Sequence, residues 1–332
     1  MANNIMVFDV AAEDGGALTI LEEYYNKAQY ENDKKWYFVV SLPILEEIDN
    51  IKILRFPWIK KSWIHRLCFD YFIAPRIIKK YKPVEIISLQ NVIIPRTKVP
   101  QTLYVHQPLP FVKKKFRLRD SYLLWIYQNI IGKMIFRSIK KANKIIVQTK
   151  WMAEACIAKT KVKYEKIFVM PPQISVEIKE YFKPTKESLQ TFFYPASGLI
   201  YKNHKLIVEA VKILKRQGIS EYKMVFTLTG DENKNILDLY EQIEENKLPI
   251  EFIGSINRCQ VFNYYTRSIL IFPSYIETFG LPLLEAKVHR TPILASDCHF
   301  SHEILEDYIN VKFFNADDAN ELAGLIKNRN FQ

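Results

Sequence analysis

Phe272-Pro-Ser-Tyr-Ile-Glu277-Thr-Phe-Gly280-Leu-Pro282-Leu-Leu-Glu285-Ala-Lys287 compresses a strand end, a loop and a helix start into one stretch. The apolar run closing at Phe272 reads as a buried strand. Pro282 suits the first turn of a helix, where its missing N–H leaves nothing unpaired. A helix starting there turns its own unpaired N–H groups, and about half a positive charge, back toward the loop. A diphosphate is the natural occupant of such a place. Glu277 precedes the helix and Glu285 lies on its opening turns. Two acceptor carboxylates flanking an anion suit a hydroxyl-rich ligand, with a sugar on one side and a ribose on the other.

Working outward, the same strand–helix alternation runs through the chain. Strands are predicted at 5–10, 37–41, 85–89, 102–106, 144–148 and 167–170, and again at 191–194, 224–229, 250–253, 269–272, 292–295 and 311–314. Helices are predicted at 17–29, 62–80, 121–141, 205–217, 236–246, 258–266, 282–289 and 319–327. Apolar strands alternating with helices argue for parallel sheets covered on both faces. Pro171-Pro172 and the polar run after them, to about residue 188, read as a linker. The expected architecture is therefore α/β, with two Rossmann-like domains at 1–172 and 173–332 facing each other across a cleft. Only 9 glycines occur in 332 residues, and Gly15, Gly16, Gly198, Gly230, Gly254 and Gly280 each follow a predicted strand. Ligands bind at the carboxyl ends of strands in such sheets, where glycine lets backbone approach phosphate.

Composition narrows the class. Hydrophobic residues at 48% and charged residues at 25% are those of a globular chain, excluding a disordered or fibrous one. No apolar run is long enough to span a membrane, and the start lacks the basic and apolar regions of a signal peptide. Cys68, Cys156, Cys259 and Cys298 are scattered, as expected of reduced thiols in the cytoplasm and not of a disulfide framework or zinc site. The net charge of +11 is uneven: residues 52–150 hold 22 Lys/Arg against 3 Asp/Glu, whereas residues 1–51 are acidic and the remainder is close to neutral. A basic field confined to one segment implies an anionic partner there.

The 272–287 stretch resembles glycosyltransferase family 4, the retaining, nucleotide-sugar-dependent enzymes of the GT-B fold. Their hallmark is Glu-x7-Glu with Phe-Gly-Leu-Pro between, here Glu277 to Glu285. The similarity extends to Lys202-Asn203 within 197–204, to 145–152, to Gly15-Gly16 and to Tyr104-Val-His106. The resemblance implies that Glu285 holds ribose hydroxyls, and that Glu277 with the backbone of Thr278, Phe279, Gly280 and Leu281 holds sugar and pyrophosphate. It further implies that Lys202 neutralises the leaving diphosphate, that His106 meets the donor sugar, and that Gly15 and Gly16 approach the phosphate. The base would rest near Gly254. Two departures stand out: Ser197 occupies a position where many members carry arginine, and Arg290 replaces the usual small residue before Thr291-Pro292. No Asp-x-Asp occurs, so no metal or other cofactor is expected.

In the basic segment, Trp58, Lys60, Lys61 and Trp63 form one mixed aromatic–cationic run, and Lys113, Lys114 and Lys115 between Phe111 and Phe116 form another. Such interleaving resembles an interfacial surface on anionic lipid; nucleic acid fits the charge, but no nucleic-acid motif accompanies it. The combined expectation is a retaining glycosyltransferase. It would move a hexose or deoxyhexose from a nucleoside-diphosphate sugar to a lipid-linked glycan acceptor of bacterial surface polysaccharide synthesis (O-antigen or capsule), working peripherally at the inner face of the plasma membrane. The alternatives are a GT-B-fold sugar-nucleotide epimerase or phosphorylase, or a non-enzymatic basic binder of membrane or nucleic acid.

Overall fold

A computed structural model describes residues 3–13, 15–119, 121–172, 178, 180–329 and 331. The chain divides into two compact units, Met1–Pro172 and Gln173–Gln332. The N-terminal unit is built on a parallel sheet of β1 (Asn3–Asp9), β2 (Lys34–Val40), β3 (Ile51–Arg55), β4 (Glu85–Ser88), β5 (Gln101–Val105), β6 (Lys144–Val147) and β7 (Ile167–Val169), ordered β3-β2-β1-β4-β5-β6-β7. The C-terminal unit repeats the scheme with β8 (Thr191–Tyr194), β9 (Lys223–Phe226), β10 (Ile250–Phe252), β11 (Ile269–Phe272), β12 (Ile293–Ser296) and β13 (Val311–Phe314), ordered β10-β9-β8-β11-β12-β13. All pairings between these strands are parallel.

Burial explains the sequence pattern. Every residue of β5, β8, β11 and β12 is buried, as expected of strands covered on both faces, so these strands show no alternation of buried and exposed positions. On one face of the first sheet, Val7, Phe38, Leu89 and Tyr104 pack with Ile20 and Leu21 of helix Gly15–Gln29. On the other face, Met6, Phe8 and Val39 meet Phe69, Ile77 and Ile78.

The predicted helices at 62–80 and 121–141 are continuous but carry π-helical turns, Phe69–Ile73 and Tyr127–Ile131. In the first, Pro75 follows the wide turn; a widened turn accommodates a residue that cannot donate to the helix ladder.

Among the strands and α-helices, four carry too weak a pattern for periodicity to reveal them. β3 is a basic edge strand, Ile-Lys-Ile-Leu-Arg, with little alternation to reveal it. Helix Lys150–Thr160 spreads its apolar residues around the axis, and helices Lys186–Gln190 and His299–Leu305 are too short for periodicity to register. The linker expected between the units needs correcting. Residues 173–177 and 179 lie outside the described residues, but the following stretch is docked on the C-terminal unit. There Phe182 N–H donates to the His289 carbonyl at 2.8 Å and Lys183 N–H to that of Thr266 at 3.0 Å, and Thr185 with Ser188 forms a capping box for the short helix.

Candidate active site

In both sheets the chain starts in the middle and works outward in both directions, so each has a point where the order reverses: between β1 and β4, and between β8 and β11. Loops leaving adjacent strands there diverge and leave a crevice at the carboxyl edge. In the C-terminal unit that crevice holds Lys202, from the loop after β8, and Glu277, from the loop after β11. The two side chains are 75 residues apart in sequence, yet Lys202 Nζ lies 2.5 Å from Glu277 Oε1. Ser274 Oγ donates to the same oxygen at 2.8 Å. The two loops are stitched through the Tyr201 carbonyl, which accepts from Tyr275 N–H at 3.2 Å and from Ser274 Oγ at 3.3 Å. Asn203, held in the left-handed region at φ 62, donates its side-chain amide to the carbonyls of Pro273 and Ala316. Tyr194 hydroxyl donates to the Lys202 carbonyl at 2.7 Å. The lysine is thus carried on a braced loop.

Gly280 supplies the turn into helix Leu281–Val288 with φ 91, a conformation that disfavours any side chain. Thr278 and Leu281 are half-buried at this turn, whereas the Phe279 ring is buried in the unit. One turn into the helix, Glu285 is buried. Its Oε1 accepts from Arg258 at 3.0 Å and its Oε2 from the Tyr265 hydroxyl at 3.2 Å. Burial pushes the Glu285 carboxyl above its ordinary range, and the Arg258 guanidinium and Tyr265 hydroxyl pull against that shift. Gly254, just after β10 and with φ 71, donates its N–H to the carbonyl of Leu228, just after β9. Ser197 is exposed on the loop after β8. Arg290 adopts φ 60, in the left-handed region that favours glycine, and lays its guanidinium 4.3 Å over the Tyr181 ring.

Arg258, Tyr265 and Ser274 belong to this site and were missed in the sequence. Arg258 and Tyr265 stand seven residues apart on helix Arg258–Arg267, two turns on one face, which was the available signal.

His106, Gly15 and Gly16 lie in the N-terminal unit. Gly15 and Gly16 open helix Gly15–Gln29 on the loop after β1, with free space where side chains would stand. His106 follows β5; its N–H donates to Asn91 Oδ1 at 2.7 Å, and burial pushes the imidazole pKa down to about 4, leaving it neutral at pH 7. Its Nε2 is buried without a hydrogen-bond partner. In the same sheet, Asp9 is buried at the end of β1, and that burial pushes its carboxyl up to about 7.

The expected lipid-facing residues separate into two groups. Trp63 and Lys61 are exposed, as are Lys113, Lys114 and Lys115. Trp58, however, is half-buried against Phe69 and His65, and Lys60 is held by Glu13 at 2.6 Å and by the Ala11 carbonyl. Phe111 and Phe116 are core residues, contrary to the reading of them as interfacial. The loop bearing the lysines is stapled by buried Gln128, whose side chain bonds the backbone of Leu109, Lys114 and Phe116. The exposed apolar side chains are others: Ile64, Leu67, Tyr71 and Phe72 on one π-turned helix, and Tyr122, Leu123 and Ile130 on the other. Among the described residues, no helix is long and apolar enough to cross a membrane, and no three His, Cys, Asp or Glu residues come together as a metal site.

Two doubly wound parallel units, one with a lysine and two carboxylates around a helix start at its switch point, define the GT-B architecture of glycosyltransferases. Residues 177–328 match the family described as glycosyl transferases group 1. That match falls within the C-terminal unit, which carries Lys202, Glu277 and Glu285. The chain is 26% identical over 269 residues to the O-antigen chain mannosyltransferase RfbU of Salmonella typhimurium, spanning 78% of this chain and 69% of that protein. Among solved structures it is similar in fold to sucrose-phosphate synthase from Thermosynechococcus elongatus, with TM-score 0.75, 15% identity and 99% and 89% of the two chains covered. It is also similar in fold to Anabaena Alr3699/HepE in complex with UDP and glucose, with TM-score 0.66, 13% identity and 98% and 89% covered.

Proposed function

We propose that this glycosyltransferase moves a hexose or deoxyhexose, with retention, from a nucleoside-diphosphate sugar to a lipid-linked glycan acceptor in bacterial surface polysaccharide synthesis. The observation that supports this reading is the contact of Lys202, from the loop after β8, with Glu277, from the loop after β11, where that loop runs through the Gly280 turn into the helix bearing Glu285. The relative named as an O-antigen chain mannosyltransferase supports the acceptor class and makes mannose the first sugar to test.

In this reading the donor diphosphate lies against the first turn of helix Leu281–Val288. The Lys202 ammonium leaves Glu277 for the phosphate, offsetting the charge that accumulates as the glycosidic bond stretches. Glu277, released, accepts from a sugar hydroxyl, and Glu285 accepts from the ribose. Ser197 lies on the same loop as Lys202, and Gly254 backs the base. The N-terminal residues proposed to serve the same donor are Gly15, Gly16 and a neutral His106. The departing phosphate oxygen takes the acceptor proton on the front face, so the proposed reaction uses no enzyme nucleophile and no metal. The two π-turned helices of the basic segment, with exposed Trp63, Ile64 and Tyr122, are proposed to seat the enzyme peripherally on anionic lipid at the inner face of the plasma membrane.

The test is transfer from GDP-mannose and from UDP-hexoses to lipid extracts, with product anomer determined and with chelator present. The expected result is a retained anomer, chelator-insensitive transfer, and a fall in kcat of about 10²–10³-fold for Lys202→Met with its fold intact. Turnover of donor without a glycan acceptor would instead indicate an epimerase, and dependence on inorganic phosphate a phosphorylase. Absence of nucleotide binding in any arm would sink the enzymatic reading.

A further inference from the structure

At the amino edge of the N-terminal sheet, away from the strand ends that carry Gly15, Gly16 and His106, there is a cavity of about 460 Å³. Its floor includes Gln101 and Asn143, which stand at the starts of β5 and β6. One wall is the loop 92–99, and the others come from the two π-turned helices. Four cations line it, Arg96, Lys98, Arg137 and Lys141, against one carboxylate, Asp70, which is already paired with Arg66. Among the described residues none of the four is paired with a carboxylate.

The shortage of counter-ions is built into the sequence. Residues 52–150 contain three acidic side chains. Asp70 is held by Arg66 Nε at 2.8 Å, Glu85 accepts from the Thr102 hydroxyl at 2.6 Å, and Asp120 lies outside the described residues. Four like charges around one concavity repel each other, a cost that a bound anion removes.

The wall is also rigid, which separates this cavity from a scatter of surface lysines. Buried Gln101 both accepts from Ile94 N–H and donates to the Ile94 carbonyl, each at 2.8 Å, and Ser138 Oγ accepts from Ile93 N–H at 3.2 Å. Ser88 Oγ donates to the Val92 carbonyl at 2.6 Å. Arg96 is fixed in the left-handed region at φ 58. Its guanidinium lies over the rings of Phe72 and Tyr71, at 5.0 and 5.6 Å, and donates to the Tyr71 carbonyl at 3.3 Å. An arginine held in this way presents its remaining donors with little entropy left to lose.

We infer that this cavity is a second anion site of the enzyme, binding a phosphate ester through Arg96, Lys98, Arg137 and Lys141. Its volume exceeds that of a lone phosphate and suits a headgroup-sized ester. The ester can come from a phospholipid headgroup at the rim formed by exposed Tyr71 and Phe72, or from a soluble metabolite; the former source rests on the membrane reading above, the latter does not.

The test uses the full chain and the charge reversal Arg137→Glu with Lys141→Glu. The control reverses the equally exposed Lys159 and Lys163 of the same unit to Glu. Glycerol 3-phosphate and inorganic phosphate are titrated by calorimetry, and binding to phosphatidylcholine vesicles with and without phosphatidylglycerol is measured by flotation. The expected outcome is binding of glycerol 3-phosphate or of phosphatidylglycerol vesicles that weakens about ten-fold or more in the Arg137/Lys141 variant and less than about two-fold in the control. Loss confined to the vesicle arm assigns the site to a lipid headgroup, and loss in the soluble arm to a free phosphate ester. Equal loss in both variants, or no binding in either arm, overturns the proposal. Donor binding at Lys202 and Glu285, read in the same samples, is expected to be unchanged, so failure here is distinct from failure of the transferase reading.

Discussion

Glu285 shows what a single buried carboxylate needs in order to work. In the proposed role it accepts from ribose hydroxyls as a carboxylate, yet burial raises its pKa, and Arg258 holds that rise in check. Removing the guanidinium by Arg258→Ala should therefore raise the Glu285 pKa further. The acidic limb of nucleotide affinity should then move to higher pH, with affinity near pH 8 falling less than affinity near pH 6. Calorimetric titration across that range checks the sign; a uniform loss at all pH values would show that Arg258 binds the nucleotide directly. At this same scale the sequence was most legible where one motif spelled out its own geometry. Glu277, Gly280 and Glu285 were readable because a strand end, a loop and a helix start follow each other without interruption. Arg258 and Ser274 were not, because their partners are 27 residues away in one case and three residues away across a loop in the other, and neither spacing has a local signature.

At the level of elements, the loops leaving the strands of the C-terminal sheet combine tight turns with close packing. Gly230 follows β9 with φ 102, and a Cβ there would stand 2.7 Å from the Tyr240 ring. Gly230→Ala combines an unfavourable backbone with a clash against a packed aromatic, and should cost about 2 kcal/mol. In a unit of this size that corresponds to a drop of roughly 4–8 °C in Tm, measurable by differential scanning calorimetry. An unchanged Tm would mean that Tyr240 moves freely, against the T-shaped contact it makes with Phe252 at 5.1 Å. Long helices with regular apolar spacing were visible in the sequence. Short or evenly apolar ones, such as His299–Leu305 and Lys150–Thr160, were not, because their stability comes from tertiary packing and not from an amphipathic pattern.

For the molecule as a whole, the sequence showed where its basic charge lies but not which apolar side chains accompany it. Ile64 is 77% exposed and Tyr122 64% exposed, while Phe111 and Phe116 are buried, although all four sit among cations in the chain. The two π-turned helices flank each other: Trp63 and Arg66 share a pocket with Tyr127, and Tyr71 shares one with Met134 and Arg137. Each of these neighbouring helices carries exposed apolar side chains within the segment richest in lysine and arginine. Association with phosphatidylglycerol vesicles should accordingly fall by about ten-fold or more between roughly 50 and 500 mM salt, since the Debye length contracts several-fold over that interval. Binding that is indifferent to salt would assign the attachment to the apolar side chains alone.

By itself the sequence determined that the chain alternates strands and helices, that its second half contains a strand-to-helix turn suited to a diphosphate, and that its cations are concentrated before residue 150. These are local properties: periodicity, proline and glycine placement, and composition each act over a few residues. The tertiary structure alone decided that Lys202 meets Glu277, that Arg258 meets Glu285, and that Tyr71 and Phe72, not Phe111 and Phe116, face outward. Those outcomes depend on strand order, which brings β8 beside β11 across some 75 residues of intervening chain, and on side-chain competition for the core; neither leaves a repeat in the sequence.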